Sequence, residues 1–281
     1  MAARAILLIT CPDRRGLVAK IADLVFRHGG NIIHADHHLD AGLFLSRIEW
    51  DLDQFLLSPA ETRQACADLG RELQADWSLH FTGQRPRLAI WVSRQSHCLL
   101  DLIWRHQAQE LSADLAVILS NHEVLQPVAQ QFQIPFIHVP ISPQTRPHQE
   151  KLQAQIMQDY GVELVILAKY MQILSPDLLS QLPPVINIHH SFLPAFPGAN
   201  PYQRAHARGV KIIGATAHYA TADLDEGPII EQDVVRVSHR DSVEDLIRKG
   251  RDLERIVLAR AVRAHLERRV LVYGNKTVVF A

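Results

Sequence analysis

Cysteine is scarce and badly spaced for structural chemistry. The three residues, Cys11, Cys66 and Cys98, include no CxxC pair. An odd count at wide spacing argues against a disulfide framework and against a cysteine zinc site, and fits reduced thiols in a cytoplasmic protein. No apolar run approaches the ~18 residues that would suggest a membrane span. The short apolar stretch at the N-terminus meets Pro12 and then charge at once, which reads as a first strand and not a signal segment. Charge of one sign is also missing. Lys plus Arg is 29 and Asp plus Glu is 30, so no basic face is offered to nucleic acid or to an anionic membrane. Neither GxGxxG nor GxxxxGK[ST] occurs, which removes the usual grounds for NAD or ATP.

What is present is an ordinary globular chain of 281 residues, 47% hydrophobic, long enough for about two domains. Residues 4–9 read as an apolar strand. Leu17, Ile21, Leu24 and Val25 follow at helical spacing, and Gly29-Gly30 stop that helix. Two strands then join across Asp40-Ala41-Gly42, a helix opens at Pro59, and "WSLHF" closes the unit as a fourth strand. The order βαββαβ over residues 1–82 predicts a small α+β layer with helices on one sheet face. "TGQRPR" (82–87) is polar and carries Gly and Pro, and the linker is placed at 83–87 within it. From 88 to 281 uniformly apolar strands alternate with helices, as in a parallel sheet covered on both faces. A long helix is expected over about 242–267, then a terminal hairpin turning at Gly274-Asn275.

Sixteen histidines are unusual, and histidine is the natural proton carrier near neutral pH. The informative stretch is "NIHHSFLPAFPGANPYQRAH", a long irregular segment of the kind that is usually functional. Asn187 and His189 alternate with Ile186 and Ile188, so they share one side of a strand. His218 sits on a later strand that leads to Asp225 in the tight turn "DLDEGP". An amide, an imidazole and a carboxylate suit acyl chemistry: oxyanion donor, proton carrier and orienting anion. No GxSxG elbow or neighbouring cysteine offers a covalent nucleophile. Two plainer readings compete on spacing alone. Asn and Asp also form turns, and His189, His190, His218 and Asp225 are all metal-ligand types, although HExxH is absent.

The full strings tip the balance by resemblance. "NIHHSFLPAF" and "HYATADLDEGPII" resemble the signature of folate-dependent formyltransferases, and "HCLLDL", "AKYM" and "GRDLERIVLARA" are similar to the formyltetrahydrofolate deformylase branch. "CPDRRGLVAKIADLVFRHGGNI" resembles the ACT pattern. The resemblance implies a ferredoxin-like ACT domain followed by a Rossmann-like, doubly wound formyltransferase-type domain. It implies catalytic Asn187, His189 and Asp225, with substrate contacts from Tyr170, Met171, Ile173 and His218. No metal and no cofactor beyond the folate substrate is expected. Asp13, Gly16 and Asn31 are the implied contacts for an amino-acid effector, and a homo-oligomer is expected because ACT sheets commonly pair between chains. Transferases of the glycinamide ribonucleotide branch place a glycine-rich phosphate loop after the first strand of this domain. Here that loop reads "VSRQSHC", which points to water and not an amine as the formyl acceptor. The rivals are an amine formyltransferase and a non-catalytic sensor.

Overall fold

The computed structural model describes residues 3–194 and 201–281. Part of the irregular segment read from the sequence, residues 195–200, therefore lies outside the described residues. The chain divides into two compact units, one of residues up to Gln84 together with Glu267–Ala281, the other Arg85–Leu266. The terminal hairpin thus groups with the N-terminal unit, whereas the sequence reading assigned residues 88–281 to one domain.

In the first unit the elements are β1 (Arg4–Pro12), α1 (Leu17–Arg27), β2 (Ile32–Asp40), β3 (Leu43–Asp51), α2 (Pro59–Leu73) and β4 (Asp76–Phe81). The sheet is antiparallel, in the order β2-β3-β1-β4. Helix α1 starts at Gly16, whose φ of 88° suits a residue without Cβ. It buries Leu17, Ile21 and Val25, one stripe at i, i+4, i+8. Helix α2 is capped by Ser58 with Glu61 returning the bond, a capping box with Pro59 in the first turn. These helices cover one sheet face, where Leu7, Ile9, Ile48 and Trp50 are fully buried. Each such side chain contributes about 1.5–3 kcal/mol of burial.

The opposite face is not left to solvent. Strands β12 (Val270–Tyr273) and β13 (Lys276–Val279) form a hairpin, and Phe280, Leu271 and Val278 pack on Leu8 and Leu45. Arg47 on β3 is buried, paired with Glu49 at 2.8 Å, and donates to the carbonyls of Arg268 and Glu267. Burial would raise the Glu49 carboxyl, but hydrogen bonds from Arg4 and Arg47 hold it below its ordinary range.

The second unit contains β5 (Arg87–Val92), α3 (His97–Gln107), β6 (Asp114–Ser120), α4 (Gln126–Gln131), β7 (Phe136–His138), α5 (Arg146–Asp159) and β8 (Leu164–Leu167). It continues with α6 (Pro176–Leu179), β9 (Val185–His189), α7 (Pro201–Arg208), β10 (Ile212–Tyr219), β11 (Ile229–Arg236) and α8 (Val243–Leu266). Sheet order is β11-β10-β9-β8-β5-β6-β7. Strands β9 to β7 run parallel, and β10 and β11 add antiparallel at one edge. The chain first winds from β5 out to β7, then crosses back to β8 on the other side of β5. That reversal creates the crevice at the carboxyl ends of the strands where such sheets bind ligands.

Candidate active site

A cavity of about 290 Å³ opens beyond the ends of β8 and β9. Its wall includes Asn187, His189, His218 and Asp225, so the structure brings the four polar residues of the sequence reading together. Strand periodicity does part of this. Ile186 and Ile188 turn into the core at 0% and 4% exposure, which sends Asn187 and His189 to the other side. Register does the rest, because β10 pairs with β9 so that His218 lies opposite Asn187.

Asp225 comes from the turn that follows β10. Its own φ is 58°, an uncommon left-handed backbone for a residue with a side chain. The turn is pinned close to β10, since Tyr219 N–H donates to the Pro228 carbonyl at 3.0 Å. Gly227 permits this approach, because a Cβ there would collide with the Tyr219 carbonyl oxygen. The turn thereby delivers Asp225 Oδ1 to 3.2 Å from His189 Nδ1 and 3.7 Å from His218 Nε2. The hydrogen bond from His189, and then the nearby ring of His218, hold the Asp225 carboxyl far below the usual carboxylate range. It is an anion at every working pH.

These contacts assign the protons. An ionised Asp225 accepts, so His189 Nδ1 carries its hydrogen and Nε2 is the basic nitrogen. Among the described residues His189 Nε2 is buried with no hydrogen-bond partner. Asn187 Nδ2 donates to His218 Nε2 at 3.1 Å, and His218 Nδ1 donates to the Tyr219 carbonyl at 3.0 Å. His218 thus has both ring nitrogens engaged and only 2% exposure. It fixes the plane of the Asn187 carboxamide, whose second Nδ2 hydrogen has no partner among the described residues.

The segment after β8 forms another wall. Met171 and Ile173 line the cavity and are 61% and 60% exposed, and Ala222 and Leu224 line it as well. Tyr170 is different. It borders the cavity, but its ring packs edge-on against Trp91 at 5.3 Å and its hydroxyl accepts from Gln153. Burial pushes that hydroxyl up to about 12. Its side chain belongs to the core. Lys169, Leu174 and Leu224 also border the cavity and were not read from the sequence. Leu224 had a signal, an exposed leucine in a turn. Lys169 had none, because its placement depends on a left-handed backbone, φ 65°.

The effector residues do not converge within one chain. Asp13 N–H bonds to Gly42 beside the Pro12 end of β1, and Gly16 follows it. Asn31 bonds Asp51, whose register partner is Arg4, at the other end of the same nine-residue strand. At ~3.3 Å per residue the two ends are roughly 26 Å apart. Asp13 and Gly16 therefore lie by one end of β1 and Asn31 by the other. The spacing of the motif hid the fact that α1 carries the chain back along the sheet.

A metal-like grouping occurs elsewhere. Among the described residues, ligand atoms of His97, Cys98 and Glu254 lie within 4.8 Å of one another. The Glu254 carboxylate is already shared by His97, Lys169 and Tyr202, and burial pushes the Cys98 thiol up, away from the thiolate that binds metals.

The comparisons with known proteins agree with this geometry. The formyl transferase family model matches residues 86–262. The formyltetrahydrofolate deformylase of Synechocystis sp. is 61% identical over 279 residues, 99% of this chain and 98% of the relative. The crystal structure of a formyltetrahydrofolate deformylase from Pseudomonas syringae pv. tomato superposes with a TM-score of 0.97 at 46% identity, covering 100% of this chain and 95% of that one. A glycinamide ribonucleotide transformylase from Symbiobacterium toebii matches less far, with a TM-score of 0.67 at 31% identity over 73% of this chain and 98% of its own. The second unit is thus a formyltransferase-type, Rossmann-like α/β domain, and the chain belongs to the formyltetrahydrofolate deformylase family.

Proposed function

We propose that the chain hydrolyses 10-formyltetrahydrofolate to formate and tetrahydrofolate, supplying formate to purine and one-carbon metabolism. The observation that carries this reading is the proton arrangement at His189. Asp225 holds Nδ1–H, and Nε2 is left basic at a cavity that the Asn187 carboxamide also lines. His189, assisted by the Asp225 charge, takes a proton from water as its oxygen attacks the formyl carbon. The remaining Asn187 N–H stabilises the oxyanion of the tetrahedral intermediate. His189 then returns the proton to N10 as the C–N10 bond breaks, releasing formate. His218 orients Asn187, and Met171, Ile173 and Leu224 offer apolar contact to the ring system of the folate. No cofactor enters this scheme.

Water as acceptor is supported by the loop after β5. Ser93 Oγ donates to Asn121 and receives Met171 N–H, while His97 is tied to Glu254. These groups satisfy one another and leave no glycine-rich cradle of open amides for an acceptor phosphate. Pure protein given 10-formyltetrahydrofolate in buffer alone should release formate stoichiometrically with tetrahydrofolate. Turnover that appears only when an amine is added would make it a formyltransferase.

The first unit, with its βαββαβ order and sheet order β2-β3-β1-β4, is read as an ACT-type domain that senses an amino acid. Because Asp13 and Asn31 sit at opposite ends of β1, a site using both requires two copies of the domain, which accords with a homo-oligomer. No helix among the described residues is long and apolar enough to cross a membrane. A cytoplasmic setting is supported by three free, buried thiols.

A further inference from the structure

Two groups on the cavity wall have no part in the scheme above, Lys169 and His190. Lys169 follows β8 and is 6% exposed, with φ at 65°. A buried ammonium and a left-handed backbone are each costly, and both costs meet at one residue beside the site. Its Nζ donates to Glu254 Oε1 at 3.1 Å and to His190 Nδ1 at 3.4 Å. Glu254, midway along α8, also accepts from His97 at 2.6 Å and from Tyr202 at 3.0 Å. Burial would raise the Glu254 carboxyl, but His97 and Lys169 hold it below its ordinary range. Gly250, one turn earlier on α8, leaves room for the Tyr202 hydroxyl, with which a Cβ would collide. Three elements besides α8 therefore converge on one carboxylate, and that carboxylate fixes the lysine.

The lysine in turn fixes a ring. An ammonium only donates, so His190 Nδ1 accepts and a neutral His190 carries its hydrogen on Nε2. The His190 ring lies parallel to His189, with centroids 4.7 Å apart and planes at 19°. His189 has Asp225 at one edge only, and a ring held by one edge can still tilt about that bond. A flat neighbour on its face removes the tilt.

We propose that Lys169, anchored by Glu254, is a positioning residue that holds His190 as a plate against His189 and so keeps His189 Nε2 aimed into the cavity. This rests on the reading of His189 as the proton carrier, and the two fail separately: wild-type formate release tests that reading, the experiments below test the plate. The double variant Lys169→Met/Glu254→Gln removes both charges with side chains of similar size, so neither is left buried alone. It should fold, bind substrate with KM within about twofold, and lose about ten- to hundredfold in kcat, the scale of a small misplacement of a reacting group. A folded double variant with kcat within twofold of wild type overturns the proposal, as does one that loses only KM. Should the variant not fold, ¹⁵N-histidine NMR of the wild-type protein decides, with the His190 signal assigned by its loss in His190→Gln. The proposal requires an unprotonated Nδ1 and a protonated Nε2 on His190 at the pH of fullest activity, and a hydrogen on Nδ1 overturns it.

Discussion

Replacing Asp225 by Asn changes the charge and little else, which makes it the sharpest probe of the site. The carboxylate oxygen lies 3.2 Å from His189 Nδ1. At an effective dielectric of about 20, a unit charge at that distance stabilises an imidazolium by roughly 5 kcal/mol. At ~1.36 kcal/mol per decade this is an upper bound of nearly four decades in rate. General acid–base assistance is worth about 10²–10⁴-fold, so Asp225→Asn should lower kcat by about 10³-fold. Stability gives an independent check with a definite sign. A folded carboxyl held below its ordinary value contributes stability that is complete above the unfolded pKa of ~3.9 and is lost as pH falls through the folded one. The wild-type advantage in thermal midpoint over Asp225→Asn should therefore be full at pH 7 and shrink once the pH drops below about 4. The assays are formate release at saturating substrate and thermal unfolding at pH 7 and in acid. A folded variant that keeps kcat within about threefold of wild type would refute the assignment of Asp225 as partner to the proton carrier.

Asn187→Ala removes one oxyanion donor and should cost about 10²–10³ in kcat with little change in KM. A purely KM effect in steady-state kinetics would show that the side chain only binds substrate. Enzyme dialysed against a strong chelator should keep its full rate; activity lost on metal removal and restored by zinc would return His189 to the ligand reading. Gly227→Ala should depress both the thermal midpoint and turnover, because the new methyl collides with the Tyr219 carbonyl and the turn carrying Asp225 must move; an active variant of wild-type stability would show that the turn has slack. A panel of the twenty amino acids, glycine and methionine first, should contain at least one that shifts the rate or the thermal midpoint. If none does, the first unit is an assembly module.

Much of the site was legible because period-two strands leave a mark in sequence. Ile186 and Ile188 between Asn187 and His189 announce a strand with one polar side, and the structure buries both isoleucines as that pattern requires. The glycine and proline after Asp225 likewise announce a turn. Elements were missed where the signal is weak. Helix α7, Pro201–Arg208, lies in the stretch read as irregular, and its eight residues bury only Pro201 and Ala205. The closing hairpin was anticipated, but not its seat on the sheet face of the first unit, since Leu271, Val278 and Phe280 carry no record of which apolar face they meet.

Composition and periodicity alone determined that this is a two-part α/β chain with a polar group at one strand end and a second in a distant turn, because local backbone preference and burial are written residue by residue. The tertiary structure decided which groups became partners. The register of β10 on β9 set His218 against Asn187, and the β10 turn carried Asp225 to His189. The left-handed Lys169 was drawn to a carboxylate 85 positions away on α8. Pairings at that separation depend on how whole elements pack, and no local pattern encodes them.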